Sequence, residues 1–107
     1  MAFFNIEFTE EADFQLKTLE EDASKKGLTK QVKKTIGFLQ TNPRHPSLNT
    51  HPYGSIPNPI NSKDKVFEAY AQNRTPAAYR VFWIYGSAKH PPTSGKTITI
   101  ISITSHP

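Results

Sequence analysis

The sequence predicts an α+β domain in which a helical hairpin packs on one face of a small, mainly antiparallel sheet. Three observations support this class: an opening segment with alternating apolar residues, two segments with apolar residues at helical spacing, and three β-rich segments toward the C-terminus. The predicted order of elements is therefore β-α-α-β-β-β. The 107 residues suffice for one domain with its own core, and residues 1–107 are assigned to a single domain.

The composition excludes several classes of function. The chain has no cysteine, which rules out thiol catalysis, thiolate metal sites and disulfides, and which is typical of a reducing compartment. The N-terminus shows neither a signal peptide nor an apolar stretch long enough to span a membrane. The loop histidines His45, His51 and His90 lack the spacing of metal ligands. We therefore expect a cytoplasmic protein with no membrane partner, metal site or small-molecule cofactor.

The charges are unevenly distributed along the chain. The formal net charge is +4, yet acidic side chains dominate residues 7–22, whereas lysines and arginines dominate from Lys25 onward. This distribution favours a polyanionic partner, because the release of counterions provides affinity that does not depend on sequence. Simple solubility is the alternative interpretation.

The first strand and the first helix are predicted from residues 3–27. Residues 3–8 alternate well enough for a strand, with Phe4, Ile6 and Phe8 on one face. Thr9 is a suitable N-cap for the helix that follows, and Gly27 is a plausible residue to end it. The apolar stripe of this helix comprises Ala12, Leu16, Leu19 and Ala23.

A second helix is predicted to begin near Thr29 and to end at residue 41, because Asn42-Pro43 follows. Its apolar face comprises Leu28, Val32, Ile36 and Leu39. The Pro-rich segment 43–64 is then predicted to be a long loop, which in a compact domain is often functional. We expect this loop to pack over the sheet through Leu48, Tyr53 and Ile56.

The segment from Lys65 to Tyr85 predicts a β-hairpin whose turn is Asn73–Pro76. Its second strand carries Arg80 among apolar residues. Because a guanidinium does not lose its charge, Arg80 is either paired inside the fold or displayed for an anion such as phosphate.

The register of this hairpin decides which side chains accompany Arg80. If Tyr70 lies opposite Arg80, then Glu68 lies opposite Phe82 on the same face. If Ala69 lies opposite Arg80 instead, Glu68 and Tyr70 point the other way, and the sequence does not decide between the two.

The last strand is predicted at residues 97–105, which are rich in β-branched side chains, after a link at 86–95. The aromatic residues Tyr79, Trp83 and Tyr85 are expected in the core, although one that is exposed can stack on a nucleobase.

Taken in order, these features resemble the RelE/ParE superfamily of bacterial toxin–antitoxin systems. The resemblance rests on the β-α-α-β-β-β order, on NPRHPSL after the second helix, on AAYRVFWIY in the hairpin and on ITIISITSHP at the end of the chain. It covers nearly the whole chain, and the 43–64 loop is its least similar part. It implies a RelE-like fold and, in the RNA-cleaving branch, a metal-independent, ribosome-dependent endoribonuclease that cleaves mRNA.

The resemblance also implies roles for particular residues. In that branch an arginine on the middle C-terminal strand, matched by Arg80, acts together with a residue after the last strand, matched in position by His106. Lysines or a glutamate near the first C-terminal strand are matched by Lys63, Lys65 and Glu68. We therefore expect Arg80, His106 and Glu68 as catalytic residues, and Lys63, Lys65, Tyr70 and Arg74 as RNA-binding residues.

Other interpretations stay open from the sequence. The same fold serves DNA gyrase inhibitors of the ParE type and inactive members that only bind a partner. Arg80 pairing with Glu68 inside the sheet is a purely structural alternative, and fraying of the chain end is the alternative for His106. A functional toxin implies a cognate antitoxin protein, together with the ribosome and mRNA, as partners.

Overall fold

A computed structural model of the chain describes residues 3–72, 78–88 and 96–105. They form an α+β fold in which two helices pack against a five-stranded mixed sheet. The helices are α1 (Glu10–Glu21) and α2 (Lys26–Thr41), and the strands are β1 (Asn5–Phe8), β2 (His51–Pro52), β3 (Phe67–Tyr70), β4 (Tyr79–Tyr85) and β5 (Thr97–Ser105). The strand order is β1-β5-β4-β3-β2, with β1 parallel to β5 and the other pairs antiparallel.

The predicted α+β class and the helical hairpin on a sheet are confirmed, but the prediction of four strands was wrong. The additional strand is β2, which lies inside the segment predicted as a loop and pairs with β3. Its two residues are too few to give a periodic signal, and Pro52 is compatible with a strand only because β2 lies at the sheet edge.

Thr9 caps α1 as predicted. Its side chain accepts a hydrogen bond from the Ala12 N–H at 3.1 Å and donates one to the Ile101 carbonyl at 3.1 Å. The same hydroxyl therefore bonds an N–H of the first helical turn that has no partner within the helix, and it connects the helix to β5.

Thr9→Ala should lower the free energy of unfolding by about 1–2 kcal/mol, because both hydrogen bonds of the hydroxyl are lost. Thr9→Ser keeps the hydroxyl and should cost less than half as much. Urea denaturation followed by circular dichroism measures both variants. Equal losses in the two variants would show that the methyl group, rather than the hydroxyl, is what stabilises this junction.

The junction between the helices differs from the prediction. The helix α1 ends at Glu21, and Gly27 lies within the first turn of α2, so neither the glycine stop nor the start at Thr29 was right. The chain turns at Asp22, whose carboxylate accepts hydrogen bonds from the N–H and hydroxyl of Ser24 at 3.0 and 2.6 Å. These bonds hold the pKa of the Asp22 carboxyl below its usual value.

The main core lies between the helices and the sheet. Its buried residues include Ala12, Leu19, Val32, Leu39, Leu48, Ala69, Val81, Trp83, Ile98, Ile100 and Ile103. Phe4, Ile6 and Phe8 of the first strand pack against this core, as predicted. Ala23, in contrast, is exposed, and so is Phe14 with 71% of its surface.

A second, smaller core lies on the opposite face of the sheet. It comprises Val66, Phe82, Ile84 and Ile101, with Tyr53 and Ile56 packed against it. The packing predicted for Tyr53 and Ile56 is therefore confirmed. Leu48 belongs to the main core instead, because the turn that follows α2 still runs on the helix side. The face that the helices leave free is thus partly covered by the loop.

Two predicted segments, the turn at 73–76 and positions 89–95 of the link, fall outside the described residues. Within the described part of the chain, neither helix is long and apolar enough to cross a lipid bilayer.

Candidate functional site

The register of the hairpin brings three predicted site residues to one face. Tyr70 pairs with Arg80, and Glu68 pairs with Phe82, which is the first of the two registers considered from the sequence. Arg80 is paired on its other side with Thr104 of β5. Because Phe82 belongs to the core on the helix-free face, Glu68, Tyr70 and Arg80 all lie on that face.

The Arg80 guanidinium is held in one orientation. Its central carbon lies 3.7 Å from the centroid of the Tyr70 ring, which is cation–π contact. Its Nη1 donates hydrogen bonds to the Gln72 carbonyl at 2.8 Å and to the Tyr79 carbonyl at 3.2 Å. The residue is 9% exposed. Stacking and two carbonyl contacts thus fix the orientation of the guanidinium of a nearly buried side chain.

Arg80 retains unused hydrogen-bonding capacity. The closest carboxylate oxygen, Oε2 of Glu68, lies 3.7 Å from Nε, which is beyond hydrogen-bond distance. The Nε atom is buried and has no hydrogen-bond acceptor among the described residues. Arg80 and Glu68 therefore form an ion pair without a hydrogen bond at Nε.

Glu68 is buried and is connected to solvent through a histidine. Only 1% of its surface is exposed, and its Oε1 lies 2.6 Å from Nε2 of His51 on β2. The His51 side chain is 44% exposed, and its Nδ1 lies 3.0 Å from the Asn49 carbonyl. The His51 ring thus lies between the buried carboxylate and the Asn49 carbonyl, and part of it is open to solvent.

His51 was not among the residues that sequence reasoning selected for this site. The only signals were that it is a histidine and that it lies in a loop long enough to be functional. Its role depends on the pairing of β2 with β3, which sets His51 opposite Glu68. A two-residue strand has no signature in sequence.

The other predicted residues lie around this cluster or outside the described part. Lys63 and Lys65 are exposed in the segment before β3, where the Lys65 carbonyl accepts a hydrogen bond from the Asn58 side chain at 3.2 Å. Arg74 and His106 fall outside the described residues. Over residues 3–72, 78–88 and 96–105, no three side chains of the histidine, aspartate or glutamate type come together in a way that could hold a metal ion.

Comparison of the chain with models of known protein families, with curated proteins and with solved structures gave no match. The fold and the site therefore define the class in structural terms alone. It is an α+β domain whose helix-free sheet face carries an arginine stacked on a tyrosine, beside a buried carboxylate that contacts a histidine.

Proposed function

We propose that this protein is a RelE-like toxin, a metal-independent endoribonuclease that cleaves mRNA in the ribosome. The order of the elements and the helical layer on one sheet face support the RelE-like assignment. The observation that carries the proposal is the state of Arg80, a cation that Tyr70 and two carbonyls hold in one orientation on the helix-free face of the sheet. A planar guanidinium that is oriented in advance suits a phosphate group.

The reaction requires no external nucleophile. The 2′-oxygen of the RNA attacks the adjacent phosphorus, the bond to the 5′-oxygen breaks, and the products carry a 2′,3′-cyclic phosphate and a 5′-hydroxyl. One proton leaves the 2′-hydroxyl and one is delivered to the departing oxygen. Arg80 would stabilise the charge that develops on the phosphorane, because it stays cationic throughout and its orientation is fixed in advance.

Proton transfer is assigned to His106 and to the pair formed by Glu68 and His51. His106 follows directly after the strand residue Ser105, which pairs with Tyr79, the neighbour of Arg80. A histidine changes its charge near neutral pH, which suits a general acid or base. Glu68 would act through His51, because the carboxylate is buried and contacts that ring.

Basic side chains would hold the RNA backbone around this centre. Lys63 and Lys65 are exposed beside the strand that carries Glu68, and Arg74 follows Tyr70 by four residues in the sequence. Their contacts with phosphates would supply affinity that falls as the salt concentration rises. The ribosome would present the mRNA, and a cognate antitoxin protein would hold the toxin inactive.

Controlled expression of the protein in bacteria should arrest growth and create new mRNA 5′ ends within translated codons. Primer extension maps these ends, and resistance of the RNA to 5′-phosphate-dependent exonuclease identifies the expected 5′-hydroxyl. Arrest without new mRNA ends, accompanied by broken chromosomal DNA, would contradict the nuclease and favour a gyrase inhibitor of the ParE type. Absence of arrest would favour a member that only binds a partner.

A further inference from the structure

A second candidate site lies on the helix side of the sheet, away from Arg80. The turn after α2 and the ends of β3 and β4 enclose a cleft of ≈ 520 Å³. Tyr85, which borders it, is five residues from Arg80 along β4, a separation of about 17 Å in an extended strand. Its contacts are with Phe4, Phe67 and Trp83 of the main core, whereas Arg80 lies on the other face.

One wall of this cleft is aromatic. Phe67 stacks on Trp83 with ring centroids 4.9 Å apart, and Tyr85 meets Trp83 edge-on at 4.8 Å. Tyr85 is 45% exposed, so a ring surface is available to a ligand. Trp83 is 1% exposed and supports the Tyr85 ring from the core side.

The other wall supplies positive charge and a further donor. Arg44 is exposed and makes no ion pair with any described residue. His45 stacks on Phe38 at 4.1 Å, and its Nδ1 accepts a hydrogen bond from the Ser47 N–H at 3.1 Å. The neutral ring therefore carries its proton on Nε2, which is a donor. None of the described residues that line the cleft has a carboxylate.

The turn that carries Arg44 and His45 is fixed by hydrogen bonds within the chain before any ligand binds. The Asn42 side chain accepts a hydrogen bond from the Arg44 N–H at 3.1 Å, and the Asn42 carbonyl accepts one from the His45 N–H at 2.9 Å. Leu48 anchors the same turn in the main core with 1% of its surface exposed. Binding would thus require little further ordering of the chain.

We propose that this cleft binds a nucleotide unit of a single-stranded nucleic acid, with the base against Tyr85 and the phosphate against Arg44. An aromatic surface beside a cationic side chain is the combination that binds single strands, because every base can stack and every phosphate is anionic. This inference goes beyond the endoribonuclease proposal, since it requires neither Arg80 nor cleavage. A carboxylate-rich peptide could pair with Arg44 but would leave the aromatic wall without a stacking partner.

The single tryptophan of the chain, Trp83, reports directly on this cleft. Titration with a 2′-O-methyl hexaadenylate, which lacks the nucleophile for cleavage, should quench Trp83 fluorescence in the full chain. Tyr85→Ala and Arg44→Ala should each weaken this binding by about tenfold, whereas Tyr85→Phe keeps the ring and should stay within about twofold of the unsubstituted chain. All titrations use the same ionic strength, because phosphate contacts depend on salt.

A matched control tests whether the loss of any positive charge weakens binding. Lys30→Ala, which removes an exposed charge from α2, should leave the quenching curve unchanged. Absence of quenching, or equal affinity in Tyr85→Ala and the unsubstituted chain, would overturn the proposal. Equal binding of hexaglutamate would overturn it as well, because that result would indicate an anion site without base stacking. If the oligonucleotide quenches Trp83 but the protein cleaves no mRNA, the nucleotide-binding site is supported and the nuclease proposal is rejected.

Discussion

Arg80→Ala should reduce the cleavage of ribosome-bound mRNA by at least about 100-fold, the typical effect of removing one preorganised donor from a developing oxyanion. The guanidinium is positioned by the Tyr70 ring at 3.7 Å and by two backbone carbonyls, so its orientation does not depend on the substrate. Single-turnover cleavage on programmed ribosomes measures the effect on the chemical step. The fraction of folded protein is determined by circular dichroism in the same samples.

Two matched variants test whether the charge or the fork of Arg80 matters. Arg80→Lys keeps a cation near Glu68 but loses the planar arrangement of donors, so a loss of activity close to that of Arg80→Ala is expected. Lys30→Ala removes one exposed positive charge from α2 and should leave the rate within about twofold. A catalytic role of Arg80 would be excluded if Arg80→Ala cleaved mRNA at the rate of the unsubstituted protein. It would also be excluded if the decrease in rate were no larger than the fraction of Arg80→Ala that is unfolded.

The hairpin that carries Arg80 could be predicted from the sequence because its signals are local. Two β-rich segments flank a short polar turn, and the structure places β3 and β4 within a residue or two of the predicted strands. The register was not predictable, because the sequence is compatible with either Tyr70 or Ala69 opposite Arg80. Packing decides it: the observed register buries Ala69 under the helices and sets Phe82 in the second core.

The contacts of Glu68 could not be predicted for a different reason. They depend on His51, which is seventeen residues away in a Pro-rich segment and reaches Glu68 only through the short strand β2. The junction between α1 and α2 could not be predicted from the sequence for the same reason. Gly27 is a typical end signal, but the hydrogen bonds of Asp22 with Ser24 turn the chain earlier. In both cases a specific side-chain contact, rather than a periodic pattern, decides the structure.

Glu68→Ala should lower the free energy of unfolding by about 3 kcal/mol, because it removes the carboxylate beside the Arg80 cation. Arg80 is only 9% exposed, so water replaces that carboxylate poorly. The estimate is at the lower end for a broken buried pair, since Nη1 of Arg80 keeps its two carbonyl acceptors. His51 also loses the oxygen that lies 2.6 Å from its Nε2. Urea denaturation of the full chain measures the change.

A pair of further variants separates the loss of charge from the loss of packing. Glu68→Leu fills the space of the glutamate but leaves the Arg80 guanidinium without a carboxylate partner. The double variant Glu68→Leu with Arg80→Met removes both charges from the sheet. The double variant should be more stable than Glu68→Leu alone, because an apolar pair of similar volume avoids the desolvation of an unpaired ion. Equal stability of these two variants would mean that Glu68 does not stabilise Arg80. Stability recovered without mRNA cleavage would show that the charged cluster is maintained for function at a cost to the fold.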